Sequence, residues 1–376
     1  MRLLDRYLLR ELAVPLFYCL SGFLIFWITF DLFGELDDLR EAQLSFAEIV
    51  VVYFQKLPDL LVVVVPVALL LAMLYTLTHL ARHNELIAIR AAGVGIWRLS
   101  LVYLIVGAFF SGFLYFVNEV WAVRGASSVE LLLENRRAGQ ENLDAGSWTG
   151  PRHIENHGAG RSWDVENYNL LTSEMINPRI TWRLTDRVVV KMVADRGGYT
   201  NGVWTFKNMT AFRSDPDQPE SMMIQVTNSP LLSVKELTLT PRQVRSEIRI
   251  SSLLGSVRLA KEAQVSLREI SDYLTLHPDL PSDQRVKLDT QFHGRLAWPL
   301  TCLVVVLIAI PFGGRSGRKN AYVGVASSIV ICFAYFILLR VGLALGTGGR
   351  LPPWLAAWLP NLLFGGGAGW LISRLR

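Results

Sequence analysis

Cysteine is scarce. The 376 residues hold three, Cys19, Cys302 and Cys332, each inside an apolar run. Residues 118–290 have none, so that segment folds without disulfides, and redox compartment cannot be read from it. Charged residues make up 18%, below the roughly one quarter usual in soluble domains. The common catalytic signatures are also missing. No Gly-x-x-x-x-Gly-Lys-Ser/Thr occurs, and Gly313-Gly-Arg-Ser-Gly-Arg-Lys319 lacks its spacing, so nucleotide hydrolysis by this chain is not expected. There is no Gly-x-Ser-x-Gly elbow and no His-Glu-x-x-His helix. Nothing here argues for an enzyme, a bound cofactor or a resident metal.

Apolar length is abundant instead. Hydrophobic residues reach 51% and mean hydropathy is +0.33. That is too apolar for a soluble protein and too polar for one confined to a bilayer. Six runs approach the roughly 20 residues a spanning helix needs: about 12–30, 57–77, 99–117, 296–310, 322–345 and 355–372. Arg2, Arg6 and Arg10 precede the first, which is too long for a signal-peptide core and reads as a span that stays. Pro66 should kink the second run. The expected layout is an N-terminal half at 1–117, an inserted domain at 118–282 and a C-terminal half at 283–376.

The insert reads as β-rich. Val188–Val193, Val203–Phe206, Met222–Val226 and Leu231–Leu239 are short and rich in β-branched or aromatic residues. Gly197-Gly198 and Asn201-Gly202 read as turns between them. No helical pattern separates the strands, which favours an antiparallel sandwich or open roll. Tyr199, Trp204, Phe206 and Phe212 suit its core, or the lining of an apolar groove. Ser266-Leu-Arg-Glu269 is a capping box opening a helix to about Leu276, which His277-Pro278 ends. Ser282 or Asp283 then caps a helix running unbroken into the fourth span, a stalk of roughly 40 Å.

Basic residues set the orientation. Eleven Lys/Arg lie in the start, in 78–98, in the Arg315–Lys319 loop and in the tail, against three in Asp31–Lys56 and Gly346–Trp354. Both termini are therefore expected in the cytoplasm and the insert on the far side. The basic balance reports topology here, with no nucleic-acid partner implied.

Leu77–Leu99, between the second and third runs, is the most informative stretch. Leu80, Ile87, Ala91 and Val94 alternate with Arg82, Glu85 and Arg90 in the pattern of an amphipathic helix over about 79–95, stopped by Gly93 and Gly95. Such a helix either rests on headgroups or touches a partner. His79 and His83, near Glu85, suit such contacts better than a metal. Three groups near span ends are candidates for lipid contact or gating: Asp31, Glu119 and Arg340. Arg340 has three readings: snorkelling to the interface, contact with an anionic headgroup, or an ion pair with Asp31.

Five stretches, in order, resemble one family. They are LLDRYLLRELAVP (3–15), HNELIAIRAAGVG (83–95), ADRGGYTNGVWTFKN (194–208), HGRLAWPLTCLVVVLIAIPFG (293–313) and LAAWLPNLLFG (355–365). Together they resemble the permease subunits of the lipopolysaccharide-export ABC transporter, LptF/LptG. The resemblance implies an inner-membrane protein with a periplasmic jelly-roll. It implies a second permease chain (a paralogue or another copy), and ABC-type ATPase subunits that bind ATP and magnesium. It further implies a periplasmic bridge protein and a lipopolysaccharide-like lipid. It assigns ATPase coupling to the 79–95 stretch, with Glu85 as its acidic residue beside Arg82, Asn84 and Arg90, and lateral gates to spans one and five of opposite chains. Asp31 departs from the basic residue the family carries near there. The competing reading is a membrane-anchored β-domain that binds a protein or envelope component, but an anchor has no use for an amphipathic helix with a central acid.

Overall fold

The computed structural model describes residues 3–41, 44–122, 148–150, 152–156, 160–170, 172–185, 188–214, 223–255, 265–313 and 321–374. The Arg315–Lys319 loop lies outside them. Two compact units result, one from Met1–Gly125 with Arg285–Arg376, the other from Ala126–Gln284.

The first unit is a helical bundle containing six helices long and apolar enough to cross a membrane. In its N-terminal half α1 is Leu3–Gly34, α2 Leu36–Glu41, α3 Phe46–Arg82, α4 Glu85–Ala91 and α5 Ile96–Phe116, which continues as a π-helical turn, Val117–Ala122. In its C-terminal half α8 is Ser282–Ala297, α9 Thr301–Gly313, α10 Ala321–Thr347 and α11 Pro353–Arg374. Helix α3 starts eleven residues before the apolar run because Ser45 and Glu48 form a complete capping box. Its centre is the core of the bundle: Leu69, Met73, Leu74 and Leu77 are fully buried. Helix α1 meets that core through a stripe at every fourth residue, with Leu8 and Leu12 buried and Leu4, Leu16, Leu20 and Leu24 half-buried.

The stalk helix is not unbroken. Trp298–Leu300 is a 3-10 turn between α8 and α9, since Pro299 has no N–H to continue the ladder. The Ala297 carbonyl, which caps this turn, also accepts a bond from another helix. Asn361 of α11 donates to it at 2.9 Å, Tyr335 of α10 donates to Asn361 Oδ1 at 2.6 Å, and the Thr301 hydroxyl lies 2.9 Å from Tyr335. Small residues bring the same helices close. A Cβ on Gly342 would sit 2.6 Å from the Ala356 carbonyl, and one on Gly346 2.6 Å from the Ala356 methyl.

The second unit is an antiparallel sheet of ten strands, a jelly-roll-like half-barrel, followed by two helices. Among the described residues β1 is Trp148–Thr149, β2 Arg152–Asn156, β3 Arg161–Val165, β4 Asn167–Asn169, β5 Met175–Ile176 and β6 Arg179–Thr185. With the four strands that follow in sequence, the order is β1–β4–β5–β8–β9–β7–β6–β3–β2, with β10 on the other side of β9. Strand β9, Val203–Ser214, organises it. Its first half pairs β8 (Arg196–Thr200), its second half pairs β7 (Val188–Val193), and β10 (Met223–Val234) pairs its whole length. The switch falls at Asn208, whose φ of 52° is left-handed and whose amide donates to Asp195 at 2.8 Å. Asn201-Gly202 makes the β8–β9 turn, with φ of 52° and 82°.

Three expectations change here. Gly197 and Gly198 lie within β8 and make no turn; a Cβ at 197 would come 2.9 Å from the Phe206 ring, so glycine lets that ring lie on the strand. The two strands expected at 222–226 and 231–239 are one strand ending at Val234. Pro230 is tolerated because β10 is an edge strand and the position faces the Asn208 switch. A helix, α6 (Pro241–Gly255), precedes the expected α7 (Leu267–Leu276). Its signal was Thr240-Pro-Arg-Gln243: Gln243 Oε1 accepts from the Thr240 N–H at 2.9 Å, and proline suits the first helical position.

Trp163, Trp204 and Phe206 are fully buried, and Val244, Ile248 and Leu276 of the two helices join the same cluster. Trp204 Nε1 donates to the Leu239 carbonyl at 2.5 Å. Of the readings open from sequence, core fits Trp204 and Phe206. Helices α6 and α7 are tied by a buried contact between His277 Nε2 and Glu247 at 2.7 Å and by Arg249 on Glu269 at 2.8 Å. Burial, then the charge of Glu247, pushes the Tyr273 hydroxyl up to about 12.

Replacing Asn361 with leucine should destabilise the bundle by about 1–3 kcal/mol, because the Ala297 carbonyl and Tyr335 hydroxyl lose their partner. A lower midpoint of thermal unfolding in detergent checks this. Gly342→Val should cost about as much through overpacking. Gly366→Val, whose added atoms meet nothing within 4 Å at Cβ, should leave the midpoint nearly unchanged.

Candidate functional site

The structure divides the stretch expected as one helix over 79–95. Helix α3 carries on to Arg82, Asn84 adopts a left-handed φ of 60°, and α4 is only the seven residues Glu85–Ala91. Asparagine tolerates that conformation better than most residues, which makes the joint local and sharp. Gly93, with φ of 84°, and Gly95, the N-cap of α5, form the second joint. Hydrophobic periodicity ran through Asn84 because Leu80 and Leu86 are both buried, on either side of the break.

The candidate coupling residues face two ways. Arg82, Asn84 and Arg90 are exposed, with Ile87 beside them 50% exposed. Glu85 is half-buried and turns inward, where its Oε2 accepts a hydrogen bond of 2.6 Å from Tyr7 of α1. Nearby, Arg98 of α5 lies 3.3 Å from Asp5 of α1, and the Thr76 hydroxyl donates to the Glu11 carbonyl at 3.3 Å. The His79 and His83 rings lie with centroids 4.2 Å apart and planes tilted by 37°, and His83 Nδ1 lies 2.9 Å from the His79 carbonyl. Among the described residues no group of three or more His, Cys, Asp or Glu could hold a metal.

The other end of α1 carries a different polar cluster. Asp31 is paired with Lys56 of α3 at 3.5 Å, and Lys56 also binds Glu35. Within this one chain Asp31 pairs with Lys56 and not with Arg340, because α1 and α3 run side by side and bring the Lys56 cation to it. Lys56 was the signal, the one lysine of the acidic 31–56 segment. Arg340 is exposed on α10, its guanidinium 5.2 Å from the Trp298 ring. Glu119 is half-buried in the π-helical turn, whose Trp121 ring lies 5.3 Å from Phe54 of α3. Asp31, Glu119 and Arg340 therefore do not form one constellation.

The middle of α1 is apolar and open. Phe17, Phe26, Phe30 and Phe33 are each more than 60% exposed, and on α10 so are Val330, Phe333 and Ile337. Such faces suit lipid or a neighbouring apolar helix. The arrangement has polar joints at both ends of a spanning helix and a short, doubly hinged helix at one of them.

Residues 6–374, essentially the whole chain, match the model of the lipopolysaccharide export system permeases LptF/LptG. No individually curated protein matches the chain. The six spans, the antiparallel sheet inserted between the third and fourth, and this end-to-end match agree: the chain is a multi-pass membrane protein that belongs to the LptF/LptG family of lipopolysaccharide export permeases.

Proposed function

We propose that this chain extracts lipopolysaccharide, or a similar large amphipathic lipid, from the inner membrane and passes it towards a periplasmic bridge protein. It acts with a second permease chain, a paralogue or another copy, and with ABC-type ATPase subunits that bind ATP and magnesium. The termini and α4 face the cytoplasm and the sheet faces the periplasm; the eleven-to-three bias of basic residues supports this. The observation that carries the reading is α4 itself. It is a seven-residue helix between two left-handed joints, presenting Ile87 and Arg90 outward and Glu85 inward. A helix with that exposed face at a loop between spans suits a docking surface for a soluble motor.

The apolar faces of α1 and α10 then serve as the sides by which lipid enters between two chains. Each acyl CH₂ exposed to water costs about 0.8 kcal/mol, so a continuous apolar route removes most of the barrier to extraction. Lys56 is already shared by Asp31 and Glu35, which leaves Arg340, exposed above Trp298, as the better candidate for an anionic headgroup. Asp31 and Glu119 act by holding helix ends in place.

Replacing Glu85 with alanine should leave insertion and abundance unchanged. It should lower ATP-driven release of lipopolysaccharide from proteoliposomes by about tenfold, the scale of an ordinary coupling energy. Parental release by that variant would contradict the assignment of α4.

A further inference from the structure

Tyr7 belongs to no catalytic or binding pattern and takes no part in the leucine stripe of α1. Its side chain is 38% exposed, yet its hydroxyl reaches Glu85 at 2.6 Å. That length is typical of a hydroxyl bound to a carboxylate, roughly twice as strong as a bond between neutral groups. The contact joins α4 to the first span, which lies far from it in sequence.

The rest of α1 shows what such a contact can do. Every close grip on this helix at that end falls between Asp5 and Leu12: Asp5 with Arg98, Leu8 and Leu12 buried, and the Glu11 carbonyl with Thr76. Beyond Leu12 no residue of α1 is buried, and Leu16, Leu20 and Leu24 are only half-buried. The next polar attachment is Asp31 on Lys56, roughly 30 Å beyond Glu11 along the helix axis. The helix is thus held by polar and buried contacts at its base and lies on α3 through one half-buried leucine stripe over the rest of its length. Helix α4 is joined to α3 by the left-handed Asn84 and to α5 by Gly93 and Gly95, so its backbone connections are hinges. Its side chains attach to the bundle through Leu86, buried in the core, and through the Tyr7–Glu85 bond, which reaches α1.

We infer that Tyr7 is a positioning residue: it ties α4 to the base of α1, so that displacement of α4 turns the whole first span. The inference rests on the reading of α4 as the face that meets the ATPase. Glu85 then has an inward task, holding Tyr7, while Arg82, Ile87 and Arg90 meet the partner.

The test uses the assembled transporter in proteoliposomes containing lipopolysaccharide. Three quantities are read: ATPase retained on purification, ATP hydrolysed, and lipopolysaccharide released per ATP. Tyr7→Phe removes only the hydroxyl. It should retain the ATPase and its hydrolysis while release per ATP falls about fivefold or more. Glu85→Gln keeps an acceptor for Tyr7, and should hold release per ATP near the parental value in the complexes that assemble. A merely structural role would lower the yield of folded complex and leave the ratio unchanged. An unchanged ratio in Tyr7→Phe, with Glu85→Ala defective, overturns the linkage while the docking assignment stands. Loss of the ATPase from Tyr7→Phe also overturns it, since Tyr7 would then belong to the docking surface. A neutral Glu85→Ala removes the assignment of α4 and this inference with it.

Discussion

A backbone carbonyl in hydrocarbon has no water to turn to, and the bundle is arranged around that constraint. It shows most clearly where the fourth span breaks. Pro299 interrupts the ladder, and Asn361 from the sixth span adds a bond to the Ala297 carbonyl that caps the resulting turn. Tyr335 from the fifth span and Thr301 complete the chain of partners. Three spans are fixed to one another by one proline and the polar groups that answer it. Gly342 and Gly346 allow the approach that puts those groups in reach.

The first span follows a different logic. It has one leucine stripe against α3 and aromatic side chains on its outer face. With little of it buried, its position depends on polar contacts at its ends: Tyr7, Asp5 and Glu11 at one, Asp31 and Glu35 at the other. Half-buried ion pairs of this kind contribute little net stability, because desolvation offsets their attraction. They suit a helix that must change its packing during a transport cycle better than one locked in a core.

Most of the architecture was legible in sequence because apolar length and basic bias are strong, independent signals. The six spans came from apolar length, and the β-rich insert from short β-branched and aromatic runs. Breaks were harder to read. Asn84 interrupts a stretch whose apolar periodicity continues through it, since Leu80 and Leu86 are buried on both sides. Pro299 sits in a run apolar enough to pass as one helix. Gly197 looks like a turn residue until the ring of Phe206 lies over it. The site was half legible. Glu85 was marked by family resemblance, but its partner Tyr7 lies in the first helix, and only the folded bundle brings them together. Asp31 was marked by charge, and its partner Lys56 was read as part of an acidic loop when it belongs to α3.

The central claim is that α4 receives a motor. Its most direct test is to purify the chain from its native membrane in mild detergent and identify what accompanies it. The account predicts a stoichiometric P-loop ATPase that cross-links to a photoreactive residue placed at Ile87. If no ATPase accompanies the chain under conditions that keep other ABC transporters intact, α4 is a helix resting on headgroups. The spans would then only hold the β-sheet unit in place.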